Sequence, residues 1–223
     1  MADFSKRTHR LSLAGVRRDY RLAELDERNC ETNPIVQFER WMKDAQAAHL
    51  KEPNAMVLST ATADGRPSGR VLLLKEVSDI GFVFYTNYGS RKGRELETNP
   101  FAALTFYWAE LERQVRVEGP VSRVDRAQSE AYFQVRPRGS RLGAWASRQS
   151  EVVSGREELE SKLKDAEAKY GEMDNIPLPE FWGGYCLRHD ILEFWQGRPN
   201  RMHDRLQYRR KSESEWLIER LSP

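Results

Sequence analysis

"AMVLSTATADGRPSGRVLLLKE", Ala55 to Glu76, decides the fold. Two runs of aliphatic and β-branched residues, "AMVLSTAT" and "SGRVLLLKE", flank "ADGRP". Asp64-Gly65 supplies the backbone freedom of a tight reversal, so the stretch reads as a β-hairpin. The same texture continues downstream. "GFVFYT" follows the turn-like "VSDIG", and "FAALTFYWA" and "RQVRVEGPVSRV" come after a short polar segment. Short, closely spaced strands favour an antiparallel barrel over a parallel sheet.

Helices bracket and interrupt these strands. "TNPIVQFERWMKDAQAAHL" has Asn33 as N-cap and Pro34 at the first helical position. Ile35, Phe38, Trp41, Met42 and Ala45 form its apolar face. "DRAQSEAYFQVR" is a second helix. "SGREELESKLKDAEAKY" is a third, in which Ser154 and Glu157 fit a capping box. "PLPEFWGG" reads as a rigid loop, and "YCLRHDILEFW", "DRLQYRR" and "EWLIERL" supply the last strands. The expected class is α+β around a β-barrel. Residues 1–16 read as a flexible N-terminal tail and 17–223 as a single domain.

A chain of 223 residues can bury a real core. With 39% hydrophobic residues and a mean hydropathy of −0.75, a soluble protein is expected. The longest aliphatic run, Val71 to Leu74, is far too short to span a bilayer. "MADFSKRTHR" has no apolar core of a secretory signal, and Cys30 and Cys186 form no CxxC, so a cytoplasmic location with reduced thiols is expected. His9, His49, His189 and His203 show no metal-ligand spacing. The net charge of +2 argues against nucleic-acid binding driven by bulk charge. Local basic clusters in a nearly neutral chain point instead to small anions.

Four clusters carry that chemistry. In "GRVLLLKE", Arg70 and Lys75 are five apart, so a regular strand would send them to opposite faces unless it is bulged. In "YTNYGSRKGRE", a helix expected to begin near Ser90 would carry Arg91 and Lys92 in its first turn. Cations there oppose the helix dipole, and a bound dianion would reverse that cost. In "YFQVRPRGSR", read as a basic loop after a helix, Tyr132, Arg136 and Ser140 offer a phenol, a guanidinium and a hydroxyl to one phosphate. In "EFWQGRPNRMHDR", Arg201, His203 and Arg205 would share one face of an extended strand beside Trp195, with Asp204 offsetting the cations around the imidazole. Each cluster alone also fits a solvated basic surface. A rival reading of a different class is a basic barrel that binds RNA, with Tyr85, Tyr88 and Arg91 as a stacking platform. Taken together they suit two phosphate esters beside a flat aromatic neighbourhood. No GxGxxG or P-loop is present.

"RVLLLK", "FYTNYGSRKGRELETNP", "LERQVRVEG", "YFQVRPRGSRLGAWASRQS", "PLPEFWGG", "EFWQGRPNRMHDR" and the terminal "WLIERLSP" closely resemble the pyridoxamine 5′-phosphate oxidase family, in the same order, from about Arg17 to Pro223. The resemblance implies a split β-barrel, an FMN-binding antiparallel barrel with peripheral helices, assembled as a homodimer with FMN at the subunit interface. It implies oxidation of pyridoxamine or pyridoxine 5′-phosphate to pyridoxal 5′-phosphate, with O2 as acceptor and H2O2 as product. No nucleic-acid, membrane or metal partner is implied. By motif position, FMN would meet Arg70, Val71, Leu72, Leu73, Leu74, Lys75, Tyr85 and Thr86, and also Arg91, Lys92, Gln114, Gln149, Ser150, Trp195 and Arg205. The substrate phosphate would meet Lys75, Tyr132, Arg136 and Ser140. Arg201 and His203 would lie at the substrate ring as the catalytic pair, with Met202 between them. "RRDY", Arg17, Arg18, Asp19 and Tyr20, resembles a stretch that closes over the substrate. The family also makes a rival visible, another flavin protein on the same barrel with a different substrate.

Overall fold

The computed structural model describes residues 19–223. Helix α1 (Pro34–Ala47) begins as its sequence dictates, with the Asn33 side chain accepting from the Ile35 N–H. Strands β1 (Ala55–Ala61) and β2 (Pro67–Leu73) pair antiparallel, Ala55 opposite Leu73 through Ala61 opposite Pro67. The reversal between them places Gly65 at φ +85°, where a side chain would be strained. The hairpin continues into β3 (Glu76–Val77) and β4 (Phe82–Asn87). After α2 (Arg91–Thr98) come β5 (Phe101–Trp108) and the long β6 (Arg113–Arg123). Three helices follow, α3 (Arg126–Val135), α4 (Arg138–Ala146) and α5 (Arg156–Tyr170). The last strands are β7 (Trp182–Leu187), β8 (Ile191–Gln196), β9 (Asp204–Arg210) and β10 (Trp216–Arg220).

All pairings are antiparallel. One path runs β10-β9-β8-β6-β5-β1-β2, while β4 pairs with β3 and β7. Two features curl it into a split barrel. β6 pairs with β5 and β8 through its first part, then with β7 from Val121 to Arg123. The chain also breaks after Leu73, where the Leu74 N–H donates to the Asn54 carbonyl and the Lys75 N–H to the Val83 carbonyl. The inward face of each strand feeds one apolar core that includes Leu58, Phe84, Leu104, Phe106, Val115 and Phe194. α1 plugs it: the Phe38 ring lies 5.0 Å from Phe82 and 5.1 Å from Phe106, and Trp41 lies 5.2 Å from Phe194. A second cluster under α3, α4 and α5 includes Phe133, Leu142, Tyr170, Ile176 and Trp182.

Four expectations change. The segment after Arg136 is a helix, α4, not a basic loop. It lacks a side-chain N-cap, and Gly139 and Gly143 weaken its propensity, so burial of Leu142 and Ala144 must hold it. The capping carboxylate of α5 is Glu158, which accepts from the Ser154 N–H and Oγ at 2.8 Å; the helix starts one residue later than the Ser154–Glu157 spacing implies. β7 begins at Trp182, inside the segment read as a rigid loop. The stretch before β9 is not extended: Pro199–Arg201 is a 3-10 turn with Asn200 at φ +55° and Arg201 at φ +62°. Arg201, His203 and Arg205 therefore do not alternate along one strand. The expectation for the 1–16 tail, and Arg17 and Arg18, lie outside the described residues.

Candidate functional site

The first cluster forms where β4 gives way to α2. The Ser90 Oγ caps the helix by accepting from the Gly93 N–H. Lys92 is 5% exposed, and among the described residues its Nζ donates only to neutral oxygens: Thr86 Oγ1 at 3.3 Å, Ser90 Oγ at 3.3 Å and Gln149 Oε1 at 3.1 Å. Burial, with Arg70 nearby, pulls its pKa down to about 8. Arg70 donates to the Leu58 carbonyl, Thr60, Ser68 and Glu95. Glu95, which the sequence analysis did not single out, is the buried anion of the cluster. It accepts from Thr60, Ser68 and Arg91 Nε, the last at 2.8 Å. Burial alone would raise its pKa, but the hydrogen bonds outweigh it and hold the carboxyl at about 2. Three cations, Arg70, Arg91 and Lys92, thus face a single carboxylate. That donor set fits a phosphate dianion. Ser150 follows Gln149 with an exposed side chain and a left-handed φ of +73°.

The second cluster lies on the other side of β4. Thr86 turns to Lys92, so its neighbour Tyr85 turns the opposite way. Tyr85 joins Leu73, Lys75, Tyr132, Val135, Arg136, Pro137, Ser140 and Trp182 around a cavity of about 390 Å³. The break after Leu73 answers the five-residue spacing: Lys75 belongs to a new run of backbone, so strand alternation from Arg70 does not apply to it. The Tyr85 and Tyr132 rings stack at 3.9 Å and 18°. Tyr85 fits this close because β7 offers Gly184, where a Cβ would lie 2.8 Å from its ring. Burial raises the Tyr85 phenol to about 12, so it stays protonated. Ser140 reaches the cavity from the first turn of α4, and Arg136 from the joint between α3 and α4. The four residues assigned to a substrate phosphate therefore meet in one cavity.

The third cluster runs across β6, β8 and β9, where Gln114 pairs with Trp195 and Trp195 with Arg205. Arg205 is bidentate on Glu193 at 2.9 and 3.0 Å, and it also donates to the Ser222 carbonyl. The His203 ring is 4.7 Å from Trp195, and Tyr20 lies edge-on to both, at 5.7 Å from Trp195 and 5.8 Å from His203. The His203 Nδ1 accepts the Arg198 N–H at 3.1 Å, so the neutral ring carries its proton on Nε2. Burial and then Arg201 lower the His203 pKa, against the pull of Asp204. Arg201 and Met202 are exposed, and Asp19 pairs with Arg21 at 3.2 Å. Glu112, a second residue the sequence did not flag, accepts the backbone N–H groups of Arg21 at 2.8 Å and Leu22 at 3.0 Å. Of the third cluster, none of Gln114, Trp195, Arg201, His203 or Arg205 lines the Lys75–Arg136 cavity.

Val71, on the outer face of β2, is 66% exposed. It sits opposite Val57, itself opposite Thr105, in the same sheet face as Tyr107, Gln114 and Trp195. Leu72 packs against the core and Leu74 is buried. The residues expected along 70–75 are therefore spread over an inner face, an outer face and the cavity wall.

Comparison with known proteins gives this geometry a context. The family model described as pyridoxamine 5′-phosphate oxidase matches residues 42–170, and that described as the pyridoxine 5′-phosphate oxidase C-terminal dimerisation region matches residues 182–223. A pyridoxine/pyridoxamine 5′-phosphate oxidase of Thermosynechococcus vestitus is 58% identical over 95% of this chain and 99% of its own. One of Rubrobacter xylanophilus is 58% identical over 96% of this chain and 98% of its own. Among solved structures, PhzG from Burkholderia lata, in complex with tetrahydrophenazine-1-carboxylic acid, is 32% identical with a TM-score of 0.82, covering 88% of this chain and 95% of that one. An FMN-binding protein from Nostoc punctiforme, 18% identical with a TM-score of 0.68 over 86% of this chain and 98% of that one, shares the fold. With matching models over most of its length and near-full-length relatives at this identity, the chain belongs to the pyridoxine/pyridoxamine 5′-phosphate oxidase family.

Proposed function

We propose that this protein is an FMN-dependent oxidase that converts pyridoxamine 5′-phosphate or pyridoxine 5′-phosphate to pyridoxal 5′-phosphate. The observation that carries the reading is the pair of cationic sites on the two sides of β4, one at Lys92 and one at Lys75 and Arg136. Two phosphate esters held that close would bring two rings together. When bound, FMN would supply the redox chemistry, accepting a hydride from substrate C4′ and returning the electrons to O2 as H2O2; from the amine substrate, water would then hydrolyse the resulting imine and ammonia would leave. Arg70, Arg91 and Lys92 would hold its phosphate, with Thr86 and Gln149 fixing the Lys92 ammonium. Lys75, Tyr132, Arg136 and Ser140 would hold the substrate phosphate, and this remote grip sets the position of C4′.

Arg201 and His203 would act at the substrate ring. A single chain keeps them off the cavity, so the reading requires a homodimer in which a second copy supplies them. The outer sheet face with exposed Val71, Val57 and Tyr107 is the apolar surface such a dimer would cover, and the match to a dimerisation region supports it. His203, with its pKa depressed, would be neutral at pH 7, and with Nδ1 engaged by the Arg198 N–H it would present its Nε2–H as a donor to the C4′ amine or hydroxyl. Asp19 and Tyr20, with Arg17 and Arg18, would cover the bound ring.

The test is anaerobic addition of pyridoxamine 5′-phosphate to protein reconstituted with FMN, followed by air. Bleaching of the flavin, then peroxide and an aldehyde product, is expected. A flavin that binds yet stays oxidised with both substrates would sink the reading.

A further inference from the structure

Arg136 is a half-buried cation with no counter-ion among the described residues. Its Nη1 is inaccessible and has no hydrogen-bond partner. Burial lowers its pKa, and among the described residues only the Tyr132 phenol opposes that shift. A guanidinium nitrogen left buried and unpaired is costly, and the long side chain has many rotamers. Something must hold it in the cavity wall. Its Cζ lies 4.5 Å from the centre of the Trp182 ring and 5.6 Å from that of Phe133. Trp182 is itself immobilised. It is 6% exposed, lies parallel to Tyr85 at 5.6 Å and 11° and to Tyr132 at 6.2 Å and 7°, and meets Phe133 at 65°.

We propose that Trp182 is the positioning residue of the substrate-phosphate site: its indole face fixes the Arg136 guanidinium in place of a counter-ion, leaving the positive charge free for a phosphate. The proposal rests on the reading of Arg136 as a phosphate ligand. A carboxylate could orient the guanidinium equally well, but it would cancel the charge the ester needs. A π face orients a cation without neutralising it. Lys75 repeats the arrangement, with its Nζ 6.0 Å from the Tyr132 ring centre. The cavity thus presents two cations on a set of nearly parallel rings.

The experiment measures steady-state kinetics of Trp182→Leu in the FMN-loaded enzyme, beside Trp182→Phe and Arg136→Ala. Trp182→Leu should raise KM for pyridoxamine 5′-phosphate about tenfold, the scale of a desolvated cation–π contact. Its kcat and FMN affinity should stay near wild type, the pattern of lost ground-state binding. Trp182→Phe keeps an aromatic face and should recover most of the KM. A wild-type KM in Trp182→Leu, or a fall in kcat with KM unchanged, overturns the proposal. If Arg136→Ala raises KM and Trp182→Leu does not, only the role of Trp182 falls. If Arg136→Ala itself leaves KM unchanged, the phosphate assignment falls first. Should Trp182→Leu fail to fold, Trp182→Phe decides. A KM rise of about threefold, from its smaller ring face, is then expected, and a wild-type value overturns the proposal.

Discussion

At the start of α2, Arg70 and Arg91 are tied to the buried Glu95, and Lys92 is ringed by neutral oxygens. Across β4, Lys75 and Arg136 have ring faces for neighbours, and neither pairs with a carboxylate among the described residues. One site is organised by hydrogen bonds and an internal anion, the other by aromatic surfaces. The difference matches two kinds of occupant. A cofactor that stays bound tolerates a rigid network assembled once, on folding. A substrate that leaves every turnover is better served by cations that need not break an ion pair to receive it, because breaking a buried pair is costly.

The largest effect should come from removing a cation on either side. Arg136→Ala should raise KM for the phosphorylated substrate about a hundredfold, the usual scale for a buried charge-assisted contact, with FMN affinity unchanged. Lys92→Met should do the reverse, weakening FMN by a similar factor with little change in KM. Kinetics and flavin-fluorescence titrations on both variants check the cross. If either variant moves both parameters equally, the two sites are not separate.

Next in size is a pH effect confined to the flavin side. The Lys92 pKa sits at about 8 in the absence of flavin, so the ammonium is lost as pH rises through that value. A phosphate dianion needs it protonated. FMN affinity should therefore fall above about pH 8, by up to tenfold per pH unit, and Lys92→Met should abolish the slope. Titrations across that range decide it. A flat wild-type profile would mean that the ammonium does not contact the phosphate.

A smaller effect concerns Glu95. Its folded pKa of about 2 lies below the ordinary 4.5, so its contribution to stability is full above pH 4.5 and lost as pH falls toward 2. Glu95→Gln should lower the Tm at pH 7, and the gap to wild type should close through that acid window. Thermal melts at successive pH values measure it. A gap that persists unchanged at pH 2 would remove the carboxylate from the account.

What the sequence made legible was local. The Asp64-Gly65 hairpin and the Asn33-Pro34 cap are written in neighbouring residues. The family motifs carried the residues proposed to hold the two phosphates. What escaped depends on partners distant in the chain. α4 has two glycines and no cap, and it stands because Leu142 and Ala144 are buried and Arg138 donates to the carbonyls of Gly171 and Met173. Trp182 looked like part of a loop because its role lies in rings from β4 and α3. Glu95 had a signal that could have found it, its place four residues after Arg91 on one helix. Arg201 did not, since nothing in "GRPNRMH" announces two successive left-handed residues.

The smallest expected effect tests the third cluster, whose ordering is neither ionic nor aromatic alone. Glu112 is 2% exposed, holds a left-handed backbone at φ +54°, and clamps the N–H groups of Arg21 and Leu22. That clamp aims Tyr20 at Trp195 and His203. Glu112→Ala should release the segment, because both N–H groups can turn to water instead, so the loss in Tm should be modest. Trypsin should then cut after Arg21 faster, by about threefold if one net hydrogen bond is lost. Glu112→Gln keeps one acceptor oxygen and should fall between. Tryptic cleavage at the wild-type rate in Glu112→Ala would show that ring packing alone holds Tyr20, and the third cluster would then be organised like the second.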